Sequence, residues 1–425
     1  MRAGLAGRVR TDGIRLSSTY GIVAFVTGRG LFGVLALVPL LLGASFGAAA
    51  ARHWRPRASE NPPRRRRVGP YARRGVAGLV SAAVVILAVL IAQPASTDPI
   101  RGPDGRVLEG SVSQLTTVPI GGHEQTIMVR GHSTRSPVML FLAGGPGGSE
   151  IGSMRNLGSG LEKDFVVATW DQRGAGKSMG ALGPTSTLTV EQVVSDTIEV
   201  TDYLRRRFDE QKVYLVGNSW GTIIGVLAAK QRPELFHAFV GTGQMVSPVE
   251  TDRMFYADTL AWATRTGDTG LVEELRANGP PPYDELWKYE PALAHEHDWN
   301  DYPMIDGFQE NGEMPGNIFV EEYTLMEKLR TMGGFLDTFS VLYPQLDDLD
   351  FRRDVTSLEV PVYLVQGRHE ARGRAGLAKE WFAALDAPRK RLITFERSGH
   401  KPSFEEPERF HTVMTKMVLA STRRS

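Results

Sequence analysis

The sequence predicts an α/β protein: a mostly parallel sheet with helices on both faces and a helical segment inserted between two strands. Short apolar, β-branched runs alternate with helix-like segments, and glycine-rich turns follow several of these runs. The pentapeptide Gly217-Asn218-Ser219-Trp220-Gly221 stands between one such run and a helix. Ligands of parallel sheets bind at the carboxyl ends of the strands, so we expect one functional site where these turns converge.

Charge is distributed unevenly along the 425 residues. Fourteen arginines and two acidic residues give residues 1–95 a net charge of +12, which leaves −11 for the rest of a chain whose total is +1. A basic arm before an acidic globular part indicates a membrane as the partner of the arm and gives no support for nucleic-acid binding. The chain has no cysteine, which excludes disulfides, thiolate catalysis and cysteine-ligated metals.

Two uncharged apolar runs, residues 31–51 and 76–95, are candidate transmembrane helices. Each is long enough to cross a hydrocarbon core of roughly 30 Å. The loop between them is rich in arginine, and the positive-inside rule places such a loop in the cytoplasm. We therefore expect a membrane protein whose globular part lies outside the cytoplasm. Two alternatives stay open: the second run acts alone as an uncleaved signal anchor, or it is a cleaved signal peptide.

Eight runs are predicted to be strands, the first two forming a hairpin around Gly121-Gly122. In chain order the predicted strands are residues 112–120, 125–129, 138–142, 165–170, 213–216, 238–241, 360–366 and 391–395. Helices are predicted at residues 222–230, around 377–385 and at the C-terminal end. Another helix follows the fourth strand, where Thr189 and Gln192 have the spacing of a capping box.

Residues 246–354 interrupt the alternation of strands and helices. This segment is helix-prone and rich in Trp, Tyr and Pro, and between Glu250 and Asp350 it contains 22 acidic and 6 basic residues. We interpret it as an inserted helical lid whose carboxylates mostly lie on a solvated surface; a minority facing the cleft would bind a cationic group. The predicted organisation is therefore a membrane-anchoring region at 1–97, a core divided into 98–245 and 355–425, and the lid at 246–354.

Ser219 is the candidate nucleophile, because a serine between two glycines at a sharp strand-to-helix turn presents its hydroxyl to a cleft. A serine hydroxyl needs an adjacent base, itself oriented by a third group. In this arrangement the order along the chain is Ser, acid, His, and Ser219, Glu370 and His400 follow that order, each in a loop after a predicted strand. We expect His400 to be the base and Glu370 to orient it.

The acid and the oxyanion hole are assigned from position in the chain. His369 beside Glu370 and a group of upstream aspartates are alternatives that complicate the assignment of the acid. These aspartates are Asp347, Asp348 and Asp350. A tetrahedral oxyanion needs two backbone donors, and we expect them to be the amides of Trp220 and of Gly145, which lies in the glycine-rich turn after the third strand.

Three motifs together resemble the prolyl aminopeptidase (proline iminopeptidase) branch of the α/β-hydrolase superfamily. They are Gly144-Gly145-Pro146-Gly147, the run from Asp171-Gln172-Arg173-Gly174 to Ser178, and Gly217-Asn218-Ser219-Trp220-Gly221. The resemblance covers about residues 110 to 415. It implies an α/β-hydrolase fold with a lid, and a serine peptidase-like activity on small molecules or short peptides without a metal or organic cofactor. It also implies that lid carboxylates bind the free amino terminus of the substrate.

The sequence departs from the family pattern at two positions. Ala143 stands where a histidine usually precedes the glycines, and Glu370 stands where an aspartate is usual. Glutamate can orient the histidine with a longer reach. The change at Ala143 bears on peptidase specificity more than on hydrolysis.

Three hypotheses about function follow. The first is a membrane-anchored serine hydrolase that removes N-terminal residues from short peptides. The second keeps Ser219, Glu370 and His400 in an esterase or amidase for small hydrophobic esters. The third is a catalytically silent, membrane-tethered binding module, which would not need all three of these residues. No His-x-x-x-His or cysteine cluster points to a metal site.

Overall fold

A computed structural model describes residues 70–304 and 313–422 of the chain. The chain divides into two units between Ile86 and Leu87. In the first unit, helix α1 (Pro70–Ala92) begins and continues into the second. The described side chains of α1 are largely exposed, with Val84, Val85 and Ile86 about 60% accessible.

The two predicted transmembrane helices are not supported. The run at 31–51 lies outside the described residues. The run at 76–95 overlaps α1, which begins six residues earlier, takes in Arg73 and Arg74 and ends before Gln93. Over the described residues, no helix combines the length and the apolarity needed to cross a membrane.

Within the described residues of the second unit, eight strands form one sheet in the order β1-β2-β4-β3-β5-β6-β7-β8. The strands are β1 (Val112–Ile120), β2 (His123–Gly131), β3 (Val138–Leu142), β4 (Val166–Trp170), β5 (Val213–Asn218), β6 (Phe236–Thr242), β7 (Val362–Gly367) and β8 (Lys390–Phe395). Strand β2 is antiparallel to β1 and β4, and all other neighbours are parallel. The eight predicted strands are all present, with ends that differ by two residues at most.

Apolar side chains cover both faces of the sheet because successive residues of a strand point to opposite faces. In β3, Val138 and Leu140 pack into one hydrophobic cluster, while Met139 and Phe141 pack into another on the opposite face. A parallel sheet covered on both faces has strands that are apolar throughout, and all five residues of β3 are buried. This explains why these strands are recognisable as continuous apolar runs.

Helices cover the two faces, and between β6 and β7 a long helical segment is inserted. After α1, the α-helices in chain order are α2 (Ile151–Asn156), α3 (Val190–Phe208), α4 (Trp220–Gln231), α5 (Pro248–Thr266), α6 (Thr269–Asn278), α7 (Glu290–Ala294), α8 (Glu296–Trp299), α9 (Glu313–Ile318), α10 (Leu325–Leu342), α11 (Phe351–Asp354), α12 (Arg372–Ala384), α13 (Pro402–Glu405), α14 (Pro407–Thr412) and α15 (Ala420–Thr422), with π-helical Val413–Leu419 before α15. Helices α5 to α11 lie in the segment interpreted as the lid.

The predicted capping box at α3 is only half formed. Thr189 Oγ1 accepts a hydrogen bond from the Gln192 amide at 3.1 Å, as expected. The Gln192 side chain instead donates to Asp196 at 2.7 Å, because that buried carboxylate also binds Arg173 and attracts amide donors. The prediction of a reciprocal bond from Gln192 to Thr189 was wrong.

Candidate active site

Ser219 lies at the turn between β5 and α4, in the strained backbone conformation that a sharp turn requires. Its φ is 52° and its ψ is −120°, a region that costs a non-glycine residue about 1–3 kcal/mol. The Ser219 amide donates to the Thr242 carbonyl at 3.0 Å, which ties the turn to the end of β6. Gly221 permits close packing, since a Cβ atom there would lie 2.1 Å from the Leu142 carbonyl oxygen.

His400 and Glu370 lie in direct contact in the loops after β8 and β7. His400 Nδ1 is 2.8 Å from Glu370 Oε2, and the Glu370 side chain is only 2% exposed. Contact through Nδ1 leaves Nε2 of the imidazole available for a second partner. The geometry therefore matches the predicted pairing of this glutamate with this histidine.

The alternatives to Glu370 make other contacts. The ring of His369 stacks on Tyr302 with centroids 4.9 Å apart. Asp350 caps α11 and binds Arg352, while Asp347 and Asp348 are exposed. Among the described residues named as candidates, Glu370 is the carboxylate that contacts His400.

Glu370 is held in its charged form by its neighbours. Burial alone would raise its pKa, but the positive charges of Arg374 and His400 outweigh burial and lower the pKa to about 2. Arg374 Nε is 2.7 Å from Glu370 Oε1, and the Ala371 amide donates to the same oxygen at 3.0 Å. The carboxylate is therefore fixed by two donors on the oxygen that does not contact His400.

Ser219 and His400 line one cavity of about 360 Å³. Its core side consists of the glycine-rich turn after β3 together with Glu150, Asn218 and Lys401. Its lid side is mostly apolar: Leu293 of α7, Asn317 and Ile318 of α9, and Thr331, Met332 and Phe335 of α10. The arrangement suits a small ligand whose reacting group approaches Ser219 and whose remaining part contacts the lid.

The two expected oxyanion donors come from the turn after β3 and from the start of α4. Gly145 lines the cavity with a φ of 138°, a conformation that favours glycine. Trp220 is the first residue of α4, so its amide has no acceptor inside the helix. Gln172 connects these two regions, because its side chain accepts from the Trp220 indole at 2.8 Å and donates to the Ala143 carbonyl at 3.1 Å.

No carboxylate of the lid lines this cavity within the described residues. The acidic side chain at the cavity is Glu150, which follows β3 in the core. The expectation that lid carboxylates face the cleft is therefore not met by the described residues that line this cavity. The described residues also contain no group of three His, Cys, Asp or Glu side chains that could hold a metal ion.

Sequence reasoning missed several polar side chains that support the site. Arg374 contacts Glu370, Glu150 lies on the cavity wall, and Glu405 accepts the amides that flank His400, those of Gly399 and Lys401, each at 2.9 Å. Only the Gly-Gly-Pro-Gly-Gly-Ser-Glu run gave a local hint, since Glu150 ends it. The contacts of Arg374 and Glu405 span only four to six residues, but they depend on how the loops after β7 and β8 fold.

Comparisons with known proteins agree with this fold. Residues 137–274 match the α/β-hydrolase fold family model. This segment has the fold of the α/β-hydrolase superfamily, and the chain is a hydrolase.

Within this superfamily the chain resembles aminopeptidases and proline iminopeptidases. It is 29% identical over 316 residues to "Probable aminopeptidase YbaC" of Bacillus subtilis (strain 168), an alignment covering 72% of this chain and 96% of that protein. It is 27% identical over 132 residues to "Probable proline iminopeptidase" of Leptolyngbya boryana, covering 31% of this chain and 39% of that protein. The proline iminopeptidase structure from Mycobacterium smegmatis shares the fold, with a TM-score of 0.52, 18% identity, and coverage of 73% of this chain and 99% of that one.

Proposed function

We propose that this hydrolase uses Ser219 as nucleophile, His400 as general base and Glu370 as the acid that orients the base. The observation that carries the proposal is the 2.8 Å contact of His400 with buried Glu370, beside a cavity that both His400 and the strained Ser219 line. Glu370 accepts a hydrogen bond from the protonated Nδ1 of His400 and stabilises the imidazolium that forms when His400 takes up a second proton at Nε2.

The reaction proceeds through an acyl-enzyme. Ser219 Oγ forms a bond to the substrate carbonyl carbon while its proton moves to His400 Nε2. The amides of Gly145 and Trp220 stabilise the oxyanion. When the intermediate collapses, the bond to the leaving amine or alcohol breaks and His400 returns its proton to that group. Water then releases the acid by the same steps, and Ser219 regains its proton.

The substrate class that we favour is a short peptide with a free amino terminus, from which one residue is removed. The Bacillus subtilis relative, aligned over 96% of its length, is named a probable aminopeptidase, and this name supports the proposal. A second candidate is a small hydrophobic ester, because Leu293, Ile318, Met332 and Phe335 give the lid side of the cavity an apolar surface.

The test compares the full chain with its Ser219→Ala variant on three substrates: proline arylamide, the same arylamide with a blocked amino group, and a short-chain p-nitrophenyl ester. We expect Ser219-dependent cleavage of the free arylamide and little cleavage of the blocked one. Ser219-dependent cleavage of the ester alone would replace the aminopeptidase with the esterase. Equal rates for the two proteins on every substrate would contradict the assignment of Ser219.

We further propose that the N-terminal region attaches the protein to a membrane and that the hydrolase part faces away from the cytoplasm. The exposed apolar side chains of α1, including Val84 and Ile86, and the +12 charge of residues 1–95 support this proposal. We expect the full chain to float with phosphatidylglycerol vesicles and a Val84→Asp/Ile86→Asp variant to float less. Protease treatment of intact cells tests the side of the membrane.

A further inference from the structure

Glu150 is a buried carboxylate on the wall of the cavity, with 3% of the residue exposed. Its Oε1 accepts a hydrogen bond from Asn218 Nδ2 at 2.9 Å and lies 3.3 Å from Lys401 Nζ. Its Oε2 accepts from the Gly144 amide at 3.3 Å. One side chain therefore joins the loops that follow β3, β5 and β8.

Each of these partners is adjacent in sequence to a residue of the proposed catalytic machinery. Gly144 precedes Gly145, Asn218 precedes Ser219, and Lys401 follows His400. The loops come from three different strands, and no local turn fixes their distances from one another. A shared carboxylate does so, because a displacement of any one loop lengthens its hydrogen bond to Glu150.

The orientation of Asn218 is fixed as well. Its Oδ1 accepts from Thr242 Oγ1 at 3.0 Å, so its amide nitrogen faces Glu150. Hydrogen bonds to a buried carboxylate are charge-assisted and costly to leave unmade. The contacts of Glu150 are therefore suited to hold the turn at Ser219 against the turn at Gly144.

We propose that Glu150 is a positioning residue that sets the oxyanion amide of Gly145, the nucleophile Ser219 and the base His400 at their working distances. This inference rests on the proposed function. Glu150 does not react with the substrate; it acts through Gly144, Asn218 and Lys401. A misplacement of about 1 Å among catalytic groups can lower the rate about 100-fold, so such a residue affects turnover more than binding.

The test uses the full chain with Glu150→Gln, which keeps the size of the side chain and removes its charge. The matched control is Glu162→Gln, at an equally buried glutamate that pairs with Arg130 at 2.7 Å and does not line this cavity. With the substrate that the wild type cleaves, we expect Glu150→Gln to lower kcat about 100-fold with KM within about twofold. Glu162→Gln should lower Tm and leave kcat within about twofold of wild type.

A second measurement reports on the catalytic geometry without depending on the natural substrate. Affinity for a boronic acid that forms an adduct with Ser219 depends on the oxyanion amides, whereas affinity for the reaction product does not. We expect Glu150→Gln to lower the affinity for the boronic acid by about the same factor as it lowers kcat/KM. The affinity for the reaction product should be unchanged. Lys401→Met, which removes one contact, should show a smaller loss of the same kind and remains informative if Glu150→Gln does not fold.

The outcomes separate the inference from the function on which it rests. If the wild type is active and both Glu150→Gln and Lys401→Met keep its kcat, the positioning role is overturned and the proposed function stands. A rise in KM confined to substrates with a free amino group also overturns it and makes Glu150 a binding group for the substrate ammonium. A wild type no more active than Ser219→Ala overturns both proposals.

Discussion

At the scale of single residues, the turn at Ser219 depends on the absence of a side chain at Gly221. A Cβ atom there would lie 2.1 Å from the Leu142 carbonyl, a backbone atom that cannot move without shifting β3. We expect Gly221→Ala to cost about 3 kcal/mol of stability, lower Tm by on the order of 5 °C and lower kcat strongly. Thermal unfolding and steady-state assays measure both effects.

Gly376→Ala is the control for this prediction, because Gly376 lies in α12 with nothing within 4 Å of an added Cβ. Alanine is favoured over glycine inside helices, so this variant should be as stable as the wild type or slightly more stable. A Gly221→Ala protein with the Tm and kcat of the wild type would show that the turn tolerates the added methyl group.

Arg374 determines how far Glu370 resists protonation. With a pKa of about 2, Glu370 stays ionised throughout pH 4–8, and the stability it gains from being charged is lost only as the pH falls from its unfolded value, near 4.5, through 2. Arg374→Met removes one of the two charges that oppose burial, so the Glu370 pKa should rise. We expect the acid limb of kcat/KM to move to higher pH in this variant.

Arg374→Lys keeps the positive charge and serves as the comparison, although lysine cannot reproduce both contacts of the guanidinium with Glu370 and Glu296. Its acid limb should lie between those of the wild type and Arg374→Met. Coincident pH profiles for all three proteins would mean that Arg374 does not control the ionisation of Glu370.

The site residues that the sequence predicts differ physically from those that only the structure reveals. Ser219, Glu370 and His400 follow strand ends in a fixed chain order, so the parallel sheet itself predicts that they converge. Glu150 contacts Asn218, 68 positions away, and Arg374 contacts Glu370, 4 positions away. Apart from the glycine-rich run that Glu150 ends, nothing in their local sequence distinguishes them from surface charges. Their burial could be seen only in the folded structure.

At the scale of elements, the core strands were easier to predict than the lid. Strands such as β3 and β5 are buried on both faces, which produces continuous apolar runs. The lid helices are only partly buried, so composition indicated only that the segment is helical and acidic. Which of its side chains face the cleft depends on how α7, α9 and α10 pack on the core.

The lid is also joined to the loop that carries His400 by Tyr302. Its hydroxyl donates to Glu405 at 3.0 Å, and Glu405 holds the amides on both sides of His400. Tyr302→Phe removes this hydroxyl and keeps the stacking of the ring on His369. A hydrogen bond to a charged group contributes about 1.5–3 kcal/mol, so we expect lower Tm and a loss of kcat of about fivefold.

The matched control is Tyr283→Phe, whose hydroxyl bonds to the Gly279 carbonyl inside the lid. It should lower Tm without a comparable effect on kcat. If the two variants lose equal stability and neither loses turnover, the contact of Tyr302 with Glu405 stabilises the lid and has no part in placing His400.

At the scale of the whole molecule, stability should depend on pH through a buried carboxyl in the lid. Asp252 on α5 is 6% exposed and accepts hydrogen bonds from the Tyr343 hydroxyl at 2.9 and 3.0 Å. Burial raises its pKa from 3.8 to about 7, more than the hydrogen bond from Tyr343 lowers it. Between about pH 4 and pH 7, Asp252 is therefore protonated in the folded state and ionised in the unfolded chain.

The sign of the effect follows from linkage. Because the folded pKa is raised, stability falls as the pH increases from about 4 through about 7, and the cost of the buried charge is complete above that value. Asp252→Asn keeps an acceptor for Tyr343 without the charge, so its Tm relative to the wild type should be on the order of 3 °C higher at pH 8.5 than at pH 5.

Asp268→Asn, at the start of α6 where asparagine caps a helix as well as aspartate, is the control and should show no such difference. A Tm difference between wild type and Asp252→Asn that is the same at both pH values would mean that Asp252 is charged in the folded protein across this range.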